Sequence, residues 1–391
     1  MRTKILLVTT VNWPSAARLA GAFANLGAMV EAVFPRGHVL RLCRYLSKAY
    51  RYRPLDGAAS LSEAIVAAKP DRVIPCDDRA LSLLLSLSEF SPLLETSLGP
   101  RGAYEVLTAR APSIAAAREI GVCAPLTLAV ESRATLRDAL YEVGLPCVMK
   151  ADGSWGGGGV KFVSSFGEAT RAYDELEGPP NRLRSLARAM MRGDAHFLLE
   201  ARNPLPSRVN VQALVPGKPA TSVFAAREGQ VLAALHMDVL SWSGDTGPAS
   251  LMARVDDPVM QIACEKIAKR FALNGLIGLD FMRDAQGAPH LIEVNPRATQ
   301  ICHLALNADL PAALLGALAR DPVTTGRQIA LFPQLLSAGI LPHTIYQDIP
   351  YDDPAVLAEV AGALLPEAEA LCEIGEFLRP DYAPPIHRKS A

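Results

Sequence analysis

Asp280, Glu293, Asn295 and Arg297 lie close together in the chain and combine three oxygen ligands with one guanidinium. The segments that carry them, Gly278 to Met282 and Leu291 to Arg297, alternate apolar and polar residues with period two. The connection from Arg283 to Pro289 is polar and contains Gly287. That pattern predicts a β-hairpin. Pairing about Gln286 and Gly287 sets Asp280 directly across from Glu293, with Leu279 and Phe281 opposite Val294 and Ile292 on the core face. Two carboxylates held opposite one another repel, so the arrangement calls for a cation between them, and Mg²⁺ is the natural candidate. Asn295 falls on the same face as Glu293 and adds a neutral carbonyl ligand, while Arg297 offers a fixed fork for phosphate oxygens. Any one of these residues alone would be read as part of a solvated polar hairpin; the set together is not.

A second cluster lies upstream. Pro146 to Lys150 reads as a short buried strand that runs into Ala151, Asp152 and the glycine-rich Gly153, Ser154, Trp155, Gly156, Gly157, Gly158, Gly159, with another strand at Val160 to Val163. Glycines let backbone N–H groups approach phosphate oxygens, and Lys150 adds a point charge at the loop's base. No Gly-Lys-Ser/Thr follows and no helix starts after the glycines, so this is not a Walker A loop. Taken alone, the run suits a surface loop as well as a nucleotide lid.

With both clusters in view, the chain resembles the ATP-grasp superfamily, which includes biotin carboxylase, carbamoyl phosphate synthetase, D-alanine:D-alanine ligase and many carboxylate-amine ligases. The likeness spans about residues 98 to 310. Leu98 to Pro100, Thr108 to Arg110 and the helix through Ile120 to Val122 look like the linker helices ahead of the lid. Arg110 and Lys150 match the two phosphate-contacting basic residues, and Gly153 to Gly159 match the mobile glycine loop. Val211 to Gly217 resembles the hinge strand whose backbone reads the adenine edge, which assigns Gln212, Ala213, Leu214 and Val215 to nucleotide binding. Ala213 stands where many members place a Glu, and no acidic residue for the ribose follows. Arg254, after Ser243 to Gly247, takes the place of a basic residue near the transferred phosphate; read without relatives it is equally a solvated arginine beyond a surface turn.

The resemblance implies a mixed α/β and α+β fold, with an N-terminal Rossmann-like (pre-ATP-grasp) lobe followed by a two-lobed ATP-grasp domain. The expected divisions are residues 1–98 for the first lobe, 99–123 for linker helices, 124–208 for the lid subdomain, 209–330 for the subdomain with the metal hairpin and 331–391 for a C-terminal extension. It also implies ATP and Mg²⁺ (or Mn²⁺), with Asp280, Glu293 and Asn295 as metal ligands and Lys150, Arg254 and Arg297 at the transferred phosphate. The partners implied are a small-molecule carboxylate and an amine, joined through an acyl phosphate; a homodimer is compatible with it. Bicarbonate activation, direct phosphorylation and a non-catalytic ATP-binding regulator are the rival readings. A protein kinase is excluded, because Met282 follows Asp280-Phe281 where Gly is needed and no His-Arg-Asp loop exists.

Elements needed to hold these residues are legible elsewhere. Lys4 to Val11 reads as a buried strand, Pro14 to Leu26 as a helix stopped at Gly27, and Met29 to Val33 as a second strand, so the chain opens β-α-β. The loop TTVNWPS has no glycine, which disfavours a dinucleotide site. Asp77 and Asp78 follow a later strand and read first as an acidic helix cap, with substrate contact as the alternative. Helices are expected at Ala134 to Val143, after the Ser165/Glu168 capping box, at Asp257 to Phe271 and near Ala355 to Leu365.

Over 391 residues, 39 basic side chains nearly balance 40 acidic ones, which gives no basic field for nucleic acid. The apolar runs Lys4 to Val11 and Arg79 to Leu87 are too short or too serine-interrupted to span a bilayer, and no signal-peptide layout opens the chain; the expectation is a cytoplasmic protein with no membrane partner. The seven cysteines include no C-x-x-C pair and read as reduced core residues. The seven histidines form no H-x-x-x-H pair, which disfavours zinc.

Overall fold

The computed structural model describes residues 2–152, 159–177, 190, 208–242, 247–337, 342 and 344–364. The N-terminal lobe runs β1 (Lys4–Val8), α1 (Ser15–Asn25), β2 (Met29–Phe34), β3 (Leu46–Arg51), α2 (Gly57–Ala68), β4 (Arg72–Pro75), α3 (Asp78–Ser86) and α4 (Ser91–Leu98). Its strands form a parallel sheet in the order β3-β2-β1-β4. Ile5, Leu6, Leu7 and Val8 are fully buried, as a strand covered by helices on both faces requires. The strand ends at Val8 rather than Val11: Thr9 N still donates to the Val33 carbonyl of β2 at 3.0 Å, and from Thr10 the chain turns to Asp77. Thr10 N donates to Asp77 Oδ2 at 2.6 Å, and the two threonine hydroxyls donate to the same carboxylate at 3.0 and 2.7 Å. Asp77 also caps α3 by accepting from Ala80 N at 2.8 Å, which fulfils the cap reading for that residue.

Two short helices, α5 (Arg101–Leu107) and α6 (Arg110–Glu119), lead to a four-stranded antiparallel sheet. That sheet contains β5 (Thr127–Val130), β6 (Cys147–Ala151), β7 (Val160–Val163) and β8 (Val209–Ala213) in the order β5-β8-β6-β7. It is backed by α7 (Arg133–Val143), which Ser132 and Thr135 start with a capping box, and by α8 (Phe166–Glu177). β8 completes this sheet, so the lid sheet extends to Ala213, past the expected division at residue 208. Alternation sends Cys147, Met149, Val209 and Val211 into the lid's own core and leaves Lys150, Asn210 and Gln212 on the other face.

The largest sheet has seven strands in the order β13-β12-β9-β10-β11-β14-β15. They are β9 (Lys218–Arg227), β10 (Gln230–Trp242), β11 (Ala249–Val255), β12 (Gly275–Arg283), β13 (Pro289–Asn295), β14 (Gln328–Ala330) and β15 (Tyr346–Gln347). Its helices are α9 (Pro258–Phe271), α10 (Leu310–Leu315) and α11 (Pro354–Leu364). Asp257 opens α9, accepting from Val259 N and Met260 N at 2.9 and 3.0 Å, and left-handed Ala272 closes it. Ile277, Leu279 and Phe281 share one buried cluster with the apolar side of α9; each such side chain contributes about 1.5–3 kcal/mol by leaving water. Gly99, at φ +104°, lets the linker approach this sheet, since a Cβ there would stand 2.6 Å from the Ala272 carbonyl oxygen.

The segment expected as a C-terminal extension does not stand apart. β15 joins the large sheet, and Asp348 and Asp352 accept from Arg18 of α1 at 2.7 and 3.2 Å. Among the described residues, no helix is long and apolar enough to cross a membrane.

Candidate functional site

The hairpin has the register its sequence predicts at the decisive point, with Leu279 paired to Val294 and Asp280 to Glu293. Beyond Asp280 the pairing shifts by one, so Phe281 faces Leu291 and not Ile292. The bulge is tied to the lid sheet: Gln212 Nε2 donates to the Ile292 carbonyl at 3.2 Å and to Thr127 Oγ1 at 2.9 Å. Thus the lid sheet's polar face and the β12–β13 hairpin meet directly.

Asp280 is half-buried on the cleft floor. Its Oδ1 accepts from Thr221 Oγ1 at 2.9 Å and its Oδ2 from Asn295 Nδ2 at 2.8 Å. Burial raises its pKa above the usual carboxylate range, and Glu293 pushes it further. Glu293 Oε2 receives Arg110 Nη1 at 2.7 Å; Arg110 opens α6 and also lies 3.8 Å from Asp152. Lys150 is buried, and desolvation lowers its pKa to about 8 against the attraction of Glu293 and Asp280. Asp152, held by Asn210 Nδ2 at 2.8 Å, is itself pushed up by burial.

These oxygens suit a hard divalent cation. Two carboxylates and a carboxamide share one face of neighbouring strands, the oxygen chemistry such a cation takes. Asn295 now offers Nδ2 to Asp280 and Oδ1 to Arg297 at 3.2 Å. A half-turn of its amide presents the oxygen on the Asp280 side, where a cation would sit.

Arg297 is placed differently from the expectation of a free phosphate fork. Its Nε and Nη2 donate to Asp78 Oδ1 and Oδ2 at 2.7 and 2.8 Å, and this carboxylate more than offsets the burial that works against its charge. The loop bearing it is pinned to the first lobe by Ala298 N donating to the Pro75 carbonyl at 3.1 Å. Asp78, read from the sequence first as a cap, is therefore part of the site.

Arg254 is four strands from β13, yet it is in register. Glu293 pairs with Asp280, Asp280 with Thr221, Thr221 with Met237 and Met237 with Arg254, so all five point to one face. From Asp280 to Arg254 the row spans three strand spacings, about 14 Å. Of the hinge residues, Gln212 and Ala213 are committed to the lid sheet: both pair across to β6, Gln212 also to Thr127, and Ala213 N donates to the Leu126 carbonyl at 2.8 Å. Leu214 and Val215 lie just past the end of β8. Gly153, Ser154, Trp155, Gly156, Gly157 and Gly158 lie outside the described residues; Gly159 ends the loop, its carbonyl accepting from Ala151 N at 3.0 Å.

Sequence reasoning missed Thr221, Asn210 and Asp152. Thr221 and Asn210 carry no local signal, since each gains its role only from strand pairing; Asp152 adjoins Lys150 and was visible as a carboxylate next to the glycines. His236, bonded to Ser222 and Gln261, and His303, bonded to Gln300 and Asp348, are packing residues.

Residues 124–300 match a protein-family profile described as an ATP-grasp domain. No curated protein matches the sequence. Among solved structures, the chain is similar to the biotin carboxylase domain of 2-oxoglutarate carboxylase from Hydrogenobacter thermophilus, complexed with MgADP, ADP and bicarbonate. The identity is 17%, the coverage 82% of this chain and 71% of that one, and the TM-score 0.59. It is similar to N5-carboxyaminoimidazole ribonucleotide synthetase from Thermus thermophilus at 15% identity, with coverage of 83% and 81% and a TM-score of 0.58. It is also similar to L-amino acid ligase from Bacillus licheniformis at 16% identity, with coverage of 76% and 69% and a TM-score of 0.53. At these identities the likeness carries the fold. With the hairpin carboxylates, the lid lysine and the lobe order already in place, residues 124–300 belong to the ATP-grasp family and the chain has the fold of its members.

Proposed function

We propose that this protein is an ATP- and Mg²⁺-dependent ligase that activates a carboxylate as an acyl phosphate for attack by an amine. The observation that carries the reading is the convergence of Asp280, Glu293 and Asn295 with Lys150, Arg110 and Arg297 from four separate segments. Phosphoryl transfer needs positioning and charge neutralisation more than covalent help, and this is a site of fixed charges. Asp280, Glu293 and Asn295 would hold a divalent cation, which would supply charge neutralisation for the transferred phosphoryl group. Lys150 and Arg110 hold the inner phosphates, Arg110 exchanging part of its present contact with Glu293 for phosphate oxygens. In this reading the backbone at Leu214 and Val215, just past the end of β8, receives the adenine edge. Water would hydrolyse the activated acyl group, so the site has to exclude it.

In the reaction, a substrate carboxylate oxygen attacks the γ-phosphorus and ADP departs. The amine nitrogen then attacks the acyl carbon, and phosphate departs carrying the original carboxylate oxygen. Arg297, between the two lobes, stabilises charge first on the phosphoryl group and then on the tetrahedral adduct, and Arg254 reaches the same cleft from the far end of the row. In the first lobe, Asp78 stands where an amine would find a counter-charge.

The test is ADP release from Mg-ATP against a panel of amino acids and carboxylic acids, with bicarbonate included. An ¹⁸O-labelled carboxylate substrate should pass one label to the released phosphate and leave an amide in the product. ADP release that depends on bicarbonate alone would assign carboxylation, and ADP release with no acceptor dependence would reject the ligase.

A further inference from the structure

The parallel sheet of the first lobe has a second charged end. Asp77 and Asp78 follow the carboxyl end of β4, where Asp78 meets Arg297, whereas Arg72 opens that strand at its other end. There Arg2, Thr3, Asp71, Arg72 and Arg227 line a cleft of about 400 Å³, with Arg227 contributed by β9 of the large sheet. Three guanidinium groups meet a single carboxylate, and Asp71 Oδ2 is already engaged by the Lys4 N–H at 2.7 Å.

Two of the arginines are held in place by one bond each. Arg72 Nη1 donates to the Thr96 carbonyl and Arg227 Nη2 to the Leu314 carbonyl, both at 2.7 Å. Arg227 Nε is buried with no acceptor among the described residues. Burial, and after it the charge of Arg227, disfavours the charged form of Arg72, so the two guanidiniums repel each other in a partly dry setting. Anchored, convergent forks with unused donors are what a planar or tetrahedral oxyanion needs.

We propose that this cleft is a second ligand site, remote from the ATP-grasp centre, for a small phosphate dianion or phosphate monoester that bridges Arg72 of the first lobe and Arg227 of the large sheet. The excess of two positive charges matches a doubly charged phosphate, and donors from three directions suit a tetrahedral group. The volume leaves room for a small ester substituent beyond the phosphate itself. Because the ligand touches both lobes, its binding also stabilises their docking.

The test is calorimetric titration of the full chain with inorganic phosphate and with glycerol 3-phosphate, at constant ionic strength and with saturating Mg-ADP. Saturable binding of either is expected, and the tighter of the two identifies the source. Arg72→Gln combined with Arg227→Gln should weaken it at least tenfold and leave Mg-ADP affinity within twofold. Thr3→Glu, which places a tethered carboxylate in the cleft without removing an anchor, should do the same and guards against a folding defect in the double variant. Absence of saturable binding, equal affinity in the native chain and both variants, or tighter binding of succinate than of either phosphate would overturn the proposal.

Discussion

Arg297 and Asp78 form a two-bonded ion pair across the lobes, Nε to Oδ1 at 2.7 Å and Nη2 to Oδ2 at 2.8 Å. The fork that suits a phosphoryl group or a substrate carboxylate is thus filled by a side chain of the chain itself, on a carboxylate that remains 45% exposed. Arg297→Ala should lower substrate-dependent ADP release about a hundredfold or more, as expected for losing a transition-state contact, with a much smaller change in ATP dissociation. Asp78→Asn removes the internal competitor and should lower KM for the carboxylate about threefold or more by freeing a charge-assisted fork. Steady-state kinetics on the two variants checks both; near-native turnover in Arg297→Ala would refute the assignment.

Glu293→Gln keeps the shape of the hairpin while removing half of the opposed carboxylate pair. Turnover should fall about a hundredfold or more, and nucleotide binding should lose its dependence on Mg²⁺. Titrating ATP with and without Mg²⁺ by calorimetry reads this out. An unchanged Mg²⁺ effect would place the metal elsewhere.

Lys150 ties affinity to pH. Its pKa in the nucleotide-free protein is lowered to about 8, and bound phosphates would raise it by favouring the charged form. Below pH 8 the lysine is charged in both states and affinity is flat. Above pH 8 binding must first restore the proton, so affinity should fall, by up to about tenfold per pH unit, until the pH passes the pKa of the complex. Lys150→Met should bind ATP more weakly and lose this slope. A slope that persists in Lys150→Met would point to a different titrating group.

Gly217 joins β8 to β9 against the end of β12. A Cβ there would fall 1.6 Å from the Arg283 carbonyl oxygen, so the chain can pass only if the hairpin yields. Gly217→Ala should cost about 1–3 kcal/mol of stability through overpacking, measured by urea unfolding, and should weaken ATP binding because Leu214 and Val215 move with it. Native stability in this variant would show that the crossing relaxes freely.

The parts of the site that the sequence announces are those set by local pairing. Asp280 and Glu293 are joined by a short hairpin whose alternation fixes the face of every residue, so their opposition follows from spacing. The slip after Asp280 does not, because the bulge at Ile292 is held by Gln212, a side chain from another sheet. Arg297 was visible as a phosphate-type arginine, but its partner Asp78 is 219 residues away, and nothing local to either residue encodes their meeting. The helices expected from caps and stop signals appear close to their expected bounds, as with Asp257 ahead of α9. Arg254 is the converse case: a lone basic residue in the sequence acquires a defined bearing only through three successive strand pairings.

The short tether from Ala298 to the Pro75 carbonyl has a mechanical consequence. The arginine next to it is tied to the first lobe, while Asp280 and Glu293, the proposed metal ligands, are rooted in the large sheet. A small sliding of the lobes would swing that guanidinium off target while leaving the cation cradle intact, and the molecule would then still carry its nucleotide and fall silent.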